Sequence, residues 1–282
     1  MTELAFPAPA AARPAPSPVR FDHDTEDLAA TYDRVGFRQF EHGKVLLEGL
    51  VLKPGHRVLD VGCGTGLLGA WAAGRVAPDG EVVGIDPLPL RLVLAARKHP
   101  RLRVQVGRAE DLSAFDDGGF DAVYLNSVFH WVPDQPRALA EALRVLKPGG
   151  RIAVNSADGE RPHDATRLLG EVLDSLGLAR DGADSGAIHH RVGAAQLERL
   201  LTDAGFADVR VRAHTFVDRV RDVDDLIAWS RSSSFGNWLS DLDAAPRARV
   251  REQLAERLEA RRGGTATVAL ERHLVHAHAT KP

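Results

Sequence analysis

The segment His56–Gly69, HRVLDVGCGTGLLG, gathers glycines behind a carboxylate where a strand would meet a helix. It admits two parsings. Gly64-Thr65-Gly66-Leu67-Leu68-Gly69 fits G-x-G-x-x-G, the pattern of a dinucleotide-binding turn. Asp60-Val61-Gly62-Cys63-Gly64-Thr65-Gly66 fits a different loop, D-x-G-x-G-x-G. In a dinucleotide turn the first glycine follows the strand at once, and the third lets the helix pack on the sheet. Here the strand ends at Asp60 or Val61, so the first glycine is Gly62 and the place of the third falls on Leu67. The second parsing puts Asp60 at the strand tip and lets the main chain at Gly62, Gly64 and Gly66 approach a ligand without a Cβ in the way. A carboxylate there repels a pyrophosphate but suits an ammonium group, and N–H groups at the helix entrance suit a carboxylate. Asp86, twenty residues after Gly66, can accept hydrogen bonds from both hydroxyls of a ribose. It could also cap a helix over Leu88–Lys98 with Pro87 at the first position.

The elements that must position these groups alternate. Short apolar runs at 57–61, 81–86, 102–107, 120–126 and 151–156 read as strands, with helices at 67–76, 88–98 and 138–146 between some of them. Strands separated by helices of about ten residues imply parallel βαβ units in an α/β sheet. Two helices, near 25–35 and 39–50, precede the first strand. Helices near 164–176 and 195–204, a strand at 204–216, helices at 222–232 and 246–262, and a partly alternating stretch at 265–279 follow the last. Residues 1–20, rich in Ala and Pro, are expected to form a disordered tail. The remaining division is 21–50 as a helical lid, 51–160 as the ligand-binding core, and 161–282 as the rest of the sheet with substrate-cover helices.

The 282 residues are 44% apolar and 27% charged, with a formal net charge of −3. No stretch is apolar enough for a membrane span, and nothing resembles a secretory signal. No basic field argues for nucleic acid. Cys63 is the only cysteine, which excludes an intramolecular disulfide and a cysteine-built metal centre. A cytoplasmic protein, monomer or homodimer, is the expectation, with neither nucleic acid nor membrane as partner.

VLDVGCGTG, VVGIDP, GRAEDL and LKPGGRIAV follow one another across residues 57–156. They resemble the successive motifs of class I S-adenosylmethionine-dependent methyltransferases. NSVFHWVPD (126–134) and the RQFEHGKVLL helix resemble the small-molecule enzymes of that superfamily, the trans-aconitate and ubiquinone/menaquinone types in particular. The resemblance implies a doubly wound, mostly parallel seven-stranded sheet of Rossmann-like form, a C-terminal helical insertion, and S-adenosylmethionine as the methyl source. It further implies that Gly62, Cys63, Gly64 and Gly66 line the methionine and adenosine moieties, with Asp60 near the amino group. Asp86 would hold the ribose, and Pro87 or Leu88 would cover the adenine. Where such families often read G-D-A after the third strand, this chain reads Gly107-Arg108-Ala109. Ala109, Glu110 or Asp111, or backbone groups alone, would then meet the adenine, unless Asp111 merely caps a helix. Asn126 would sit by the amino group. Gln39 could reach the methionine carboxylate, and Tyr32 could close over it. NSVF lacks both prolines of the base-methylating N-P-P-Y/F motif.

A sulfonium methyl is already activated, so transfer is a direct displacement and the enzyme supplies alignment and a dry site. A base is needed only where the nucleophile carries a proton. His130, beside Trp131, is the candidate base, or else a ring that shapes the pocket. Trp131, Trp229, Phe235 and Trp238 could line an apolar acceptor pocket, the last three equally serving as core. His189 and His190 could reach its mouth. His276 and His278 share a strand face but no carboxylate pair, so no metal is expected, and one cysteine cannot support arsenite chemistry. The expected acceptor is a small metabolite with an O, N or C nucleophile. Two rivals stay open: a nicotinamide (NAD) oxidoreductase, and a protein that binds the cofactor without transferring methyl.

Overall fold

A computed structural model describes residues 24–178, 190–234, 239 and 242–282. Strands β1 (Arg57–Val61), β2 (Glu81–Asp86), β3 (Arg103–Val106), β4 (Phe120–Leu125) and β5 (Leu146–Ala157) pair in parallel. β6 (Ala207–Val220) and β7 (Val268–Thr280) complete a seven-stranded sheet in the order β3-β2-β1-β4-β5-β7-β6, with β7 antiparallel to both its neighbours. The parallel strands are apolar runs because helices cover both of their faces. Successive residues serve opposite faces. Val58 joins Leu46, Leu47 and Leu50 of helix α2 (Phe37–Glu48) and its C-terminal turn, with Leu68, Ala72 and Val76 of α3 (Leu67–Val76). Leu59 joins Ala138, Leu139 and Val145 of α5 (Gln135–Val145), with Leu197 and Leu201 of α7 (Ala194–Asp203). α1 (Glu26–Val35) starts at Thr25, whose hydroxyl accepts the Leu28 N–H, and α4 (Pro89–Lys98) buries Leu92 and Ala95 beside β2 and β3.

The C-terminal third builds a core of its own. β5 ends where Ala157 pairs Leu274, but β7 and β6 continue to the pair Val268–Val220. Residues 268–273 of β7 thus project past the sheet as a two-stranded ribbon. Helices α6 (Asp164–Ser175), α8 (Val223–Ser233) and α9 (Ala244–Arg262) pack on it through Leu168, Val172, Trp229, Leu254, Leu258 and Leu270. In α9 the buried residues Val250, Leu254 and Leu258 form a single stripe at four-residue spacing on an otherwise polar helix.

Most elements fall where the sequence places them. The ribbon is the main difference, since β6 runs four residues beyond the expected 216. Along its far end Val217 is exposed while Asp218 is buried, so neither face reads as apolar. α4 begins at Pro89 rather than Leu88, with Leu88 at its N-cap and Pro89 in its first turn. The expected tail at 1–20 lies outside the described residues.

Candidate active site

Strand order reverses between β1 and β4, and ligands of open α/β sheets bind beyond the strand ends at such a point. A cavity of about 300 Å³ opens there, bordered by Gly62, Asp86, Asn126, His130 and Trp229 among others. A smaller space of about 40 Å³ adjoins it and reaches Asp60, Cys63 and Thr65. Tyr32, Gln39, Gly62 and Asn126 border both.

The glycine loop is pinned to β2. Gly62 and Cys63 donate their N–H groups to Ile85 O at 2.7 and 2.9 Å, and Gly64 donates to Asp86 Oδ2 at 2.9 Å. Gly62 has φ of 77°, and a Cβ on it would collide with the Val128 side chain. Only glycine takes that backbone so close to a neighbour. Gly66 is the N-cap of α3, so G-x-G-x-x-G at Gly64 begins at the helix entrance, and Gly69 packs against Asp60 and Leu102. Cys63 packs its sulfur against Gly84, and burial pushes its thiol well up.

Asp86 also accepts the Leu88 N–H at 2.9 Å through Oδ1. Each oxygen keeps lone pairs for a ligand hydroxyl. Burial raises its pKa and the nearby Arg91 charge lowers it in part. Asp60 is 2% exposed, and its Oδ2 has no hydrogen-bond partner among the described residues. Burial lifts its pKa to about 7, the Tyr124 hydroxyl offsetting part of this and the Asp86 charge adding to it. An orphaned buried carboxylate beside a glycine cradle is what an ammonium-bearing nucleoside would relieve, so these residues fit S-adenosylmethionine.

Two helices cover the loop. Tyr32 lies over Gly64, whose Cβ would stand 3.0 Å from the ring, and the Arg91 guanidinium stacks 3.9 Å from the Tyr32 ring centre. The Gln39 main-chain carbonyl accepts from Asn126 Nδ2 at 3.0 Å. Its side-chain amide, oriented to satisfy both ends, accepts the Trp229 indole N–H at 3.2 Å. Beside Asp86, Pro87 borders the cavity, while Leu88 is fully buried in the core. Gly107, Arg108, Ala109 and Glu110 form the facing wall, with Arg108 Nε 3.8 Å from Glu110 Oε2. Asp111 turns away and accepts the Ser113 N–H at 3.1 Å.

The other half of the cavity begins at the single turn of 3-10 helix Phe129–Trp131. His130 Nδ1 accepts the Ala157 N–H at 3.2 Å, and His163 Nδ1 accepts the His273 N–H at 3.0 Å. Trp131, Leu169, Leu173 and Trp229 supply apolar wall, and Arg191 and Arg272 border the same region. Arg272 stacks 4.0 Å from the Trp229 ring and donates to Asp218 at 2.6 Å. Burial alone would raise Asp218, yet Arg272 and His42 hold it well below the usual carboxylate range. Phe235, Trp238 and His189 lie outside the described residues. His190 enters through its backbone, donating to His130 O at 2.7 Å and accepting from Gln135 at 2.7 Å. His276 and His278 face different partners: His276 packs 4.3 Å from the His214 ring, and His278 Nε2 meets Leu46 O at 2.7 Å.

Three residues here escaped sequence reasoning. Asn155, fully buried, accepts the Ser127 N–H at 2.5 Å and donates to Asn126 Oδ1 at 2.7 Å. It thereby holds the β4 tip, where Ser127 adopts φ of 59°. Gln135 ties the 3-10 turn to His190, and His163 faces the cavity from the start of α6. Each acts on a partner 28 to 110 positions away, which no local pattern announces.

A sheet of this order, with a glycine loop and a buried carboxylate at its switch point, is the frame of α/β proteins that bind nucleosides beyond their strand ends. The family model described as a methyltransferase domain matches residues 59–154. The chain is 33% identical over 214 residues to trans-aconitate 2-methyltransferase of Deinococcus radiodurans, covering 74% of this chain and 80% of that protein. It is 30% identical over 256 residues to nocamycin O-methyltransferase of Saccharothrix syringae, covering 84% and 90%. Phosphoethanolamine N-methyltransferase 2 of Haemonchus contortus, solved with phosphomonomethylethanolamine and S-adenosylhomocysteine, has the same fold with a TM-score of 0.57. It is 18% identical, over 95% of this chain and 61% of that one. The chain belongs to the class I S-adenosylmethionine-dependent methyltransferases.

Proposed function

We propose that the protein transfers a methyl group from S-adenosylmethionine to an O, N or C nucleophile of a small metabolite. The observation that carries this reading is one continuous cavity with two chemically different halves. Gly62, Asp86 and Pro87 stand at one end, with Asp60 in the small space that adjoins it, and His130, Trp131 and Trp229 stand at the other. Asp86 would take the ribose hydroxyls, Asp60 and Asn126 the amino-acid end, and Pro87, Ala109 and Glu110 the adenine. Bound there, S-adenosylmethionine supplies an electrophilic methyl on a sulfonium.

The chain's own part is to orient and to exclude water. Tyr32 and Gln39 close the cofactor end, while α6, α8 and the ribbon roof the acceptor end. The largely apolar walls by Leu169, Leu173 and Trp229 suit a partly apolar metabolite. Relatives named for trans-aconitate and nocamycin support a small acceptor.

Calorimetry with S-adenosylhomocysteine and with NADH tests the cofactor. Micromolar one-to-one binding of the first, with none of the second, is expected. Binding of NADH alone would sink the reading. Methyl transfer to a metabolite panel then separates a transferase from a protein that only binds the cofactor.

A further inference from the structure

Two histidines on the acceptor side share one arrangement. His130 and His163 each turn Nδ1 to a backbone N–H, from Ala157 and His273 respectively. A backbone amide can only donate, so each Nδ1 must present a lone pair. A neutral imidazole has a single ring N–H, and in both rings that proton therefore sits on Nε2. The two amides come from one place, for Ala157 is the last residue of β5 and His273 immediately precedes its β7 partner Leu274. The edge where the ribbon leaves the sheet thus fixes both tautomers.

Protonating either ring at Nδ1 would set one N–H against another. Burial, then Arg272, Arg191 and His130, already hold His163 well below its usual range. The remaining ionisable groups of this half, Arg191 and Arg272, are cations. Among the described residues, the acidic side chains bordering the main cavity are Asp86 and Glu110, both at the cofactor end. Among the described residues the acceptor half therefore offers hydrogen-bond donors and the Arg191 and Arg272 guanidinium groups, the latter paired with Asp218 behind the wall. It has, among the described residues, no group poised to take a proton.

We propose that His130 and His163 are paired Nε2–H donors that hold the methyl acceptor by an anionic oxygen, a carboxylate or an ionised phenol or enol, and that His130 is no base. This rests on the methyl-transfer reading. The oxygen lone pair would form the bond to the methyl carbon while the carbon–sulfur pair stays on sulfur. Oxyanion and sulfonium charges cancel, and no proton is left to remove. A site without a base is then sufficient.

Imidazole ¹⁵N spectra of the full chain, labelled at histidine and assigned with His130→Gln and His163→Gln, report tautomers directly. Both rings should be neutral with Nε2–H at pH 7. An Nδ1–H tautomer or an imidazolium at either position overturns the proposal. Calorimetry on protein saturated with S-adenosylhomocysteine, with benzoate, 4-nitrophenolate and benzamide as probes, reads the preference. At least one anion should bind about tenfold more tightly than neutral benzamide, as charge-assisted hydrogen bonds imply. The tighter anion tells carboxylate from phenolate. His163→Phe should erase the difference, while His163→Gln, which keeps an N–H at the same reach, should restore most of it. Equal binding of benzamide, or binding of no anion, refutes the donor pair. Failure of S-adenosylhomocysteine itself to bind strikes the methyl-transfer reading instead, and the tautomer spectra still decide the donor pair.

Discussion

Asp86 has two duties, and they can be separated. It braces the glycine loop through the Gly64 N–H and leaves lone pairs for a ribose. Asp86→Asn keeps the size and one acceptor oxygen but loses the charge. S-adenosylhomocysteine affinity should fall about tenfold or more, since hydrogen bonds to a carboxylate contribute roughly 1.5–3 kcal/mol. Calorimetry reads the loss, and an unchanged circular dichroism spectrum shows that the loop still folds. Asp60 makes a sharper prediction. Its pKa of about 7 means that the free protein is part protonated there at neutral pH. A ligand ammonium would favour the carboxylate, so binding should release up to about one proton at pH 6.5. Titration in buffers of different ionisation enthalpy measures that number, and zero would separate Asp60 from the amino group. Both groups were legible in the sequence because strand, loop and carboxylate lie within a few residues of each other. His163 and Asn155 were not, because what makes them matter is a backbone amide or a side chain from a distant strand.

Among elements, the lid and the roof are joined by charge. Arg38 of α2 is 3% exposed and donates to Arg219 O at 3.0 Å and to Asp225 Oδ2 at 3.1 Å, at the start of α8. Its guanidinium stands 5.9 Å from the Trp229 ring, which Arg272 covers as well. The helix that presents Gln39 is thus fastened to the helix that presents Trp229. Arg38→Met keeps the packing volume but leaves Asp225 buried without that partner. Removing one member of a buried pair costs about 3–5 kcal/mol. Denaturant unfolding should show a loss near the low end, because Arg221 stands 3.9 Å from the same carboxylate. A loss below about 0.5 kcal/mol, the range of an ordinary surface change, would mean that lid and roof are held by apolar packing alone. The helices themselves were legible from their periodicity. Their mutual placement was not, since the ribbon that carries the roof exposes Val217 and buries Asp218, which hides its length.

For the whole molecule, acid is the condition that sets its histidines against its fold. His276 is 2% exposed, and burial, then His214, His278 and His42, press its pKa to about 3. The unfolded chain binds a proton there below about 6.5 while the folded chain refuses it, so stability falls as pH drops from 6.5 towards 3. His42, His163, His214 and His278 are lowered too and act in the same direction. Asp218, held low by Arg272 and His42, adds its loss only below the ordinary carboxylate range. Asp60 opposes them, because its raised pKa gives a contribution fully present below about 4 and lost as pH rises through 7. Asp24 and Asp86, also raised by burial, act with Asp60, but six lowered imidazoles, His99 included, outweigh three carboxylates, so the net effect between pH 7 and 5 is a loss. His276→Phe, seated beside Phe216 and His214, removes one large imidazole contribution without opening a cavity. The fall in unfolding free energy from pH 7 to pH 5 should then shrink by about 2 kcal/mol. Urea titrations at the two pH values give the comparison, and an unchanged difference would place the acid sensitivity elsewhere. Saturating S-adenosylhomocysteine should steepen the same dependence in the parent protein, because an ionised Asp60 no longer opposes the histidines.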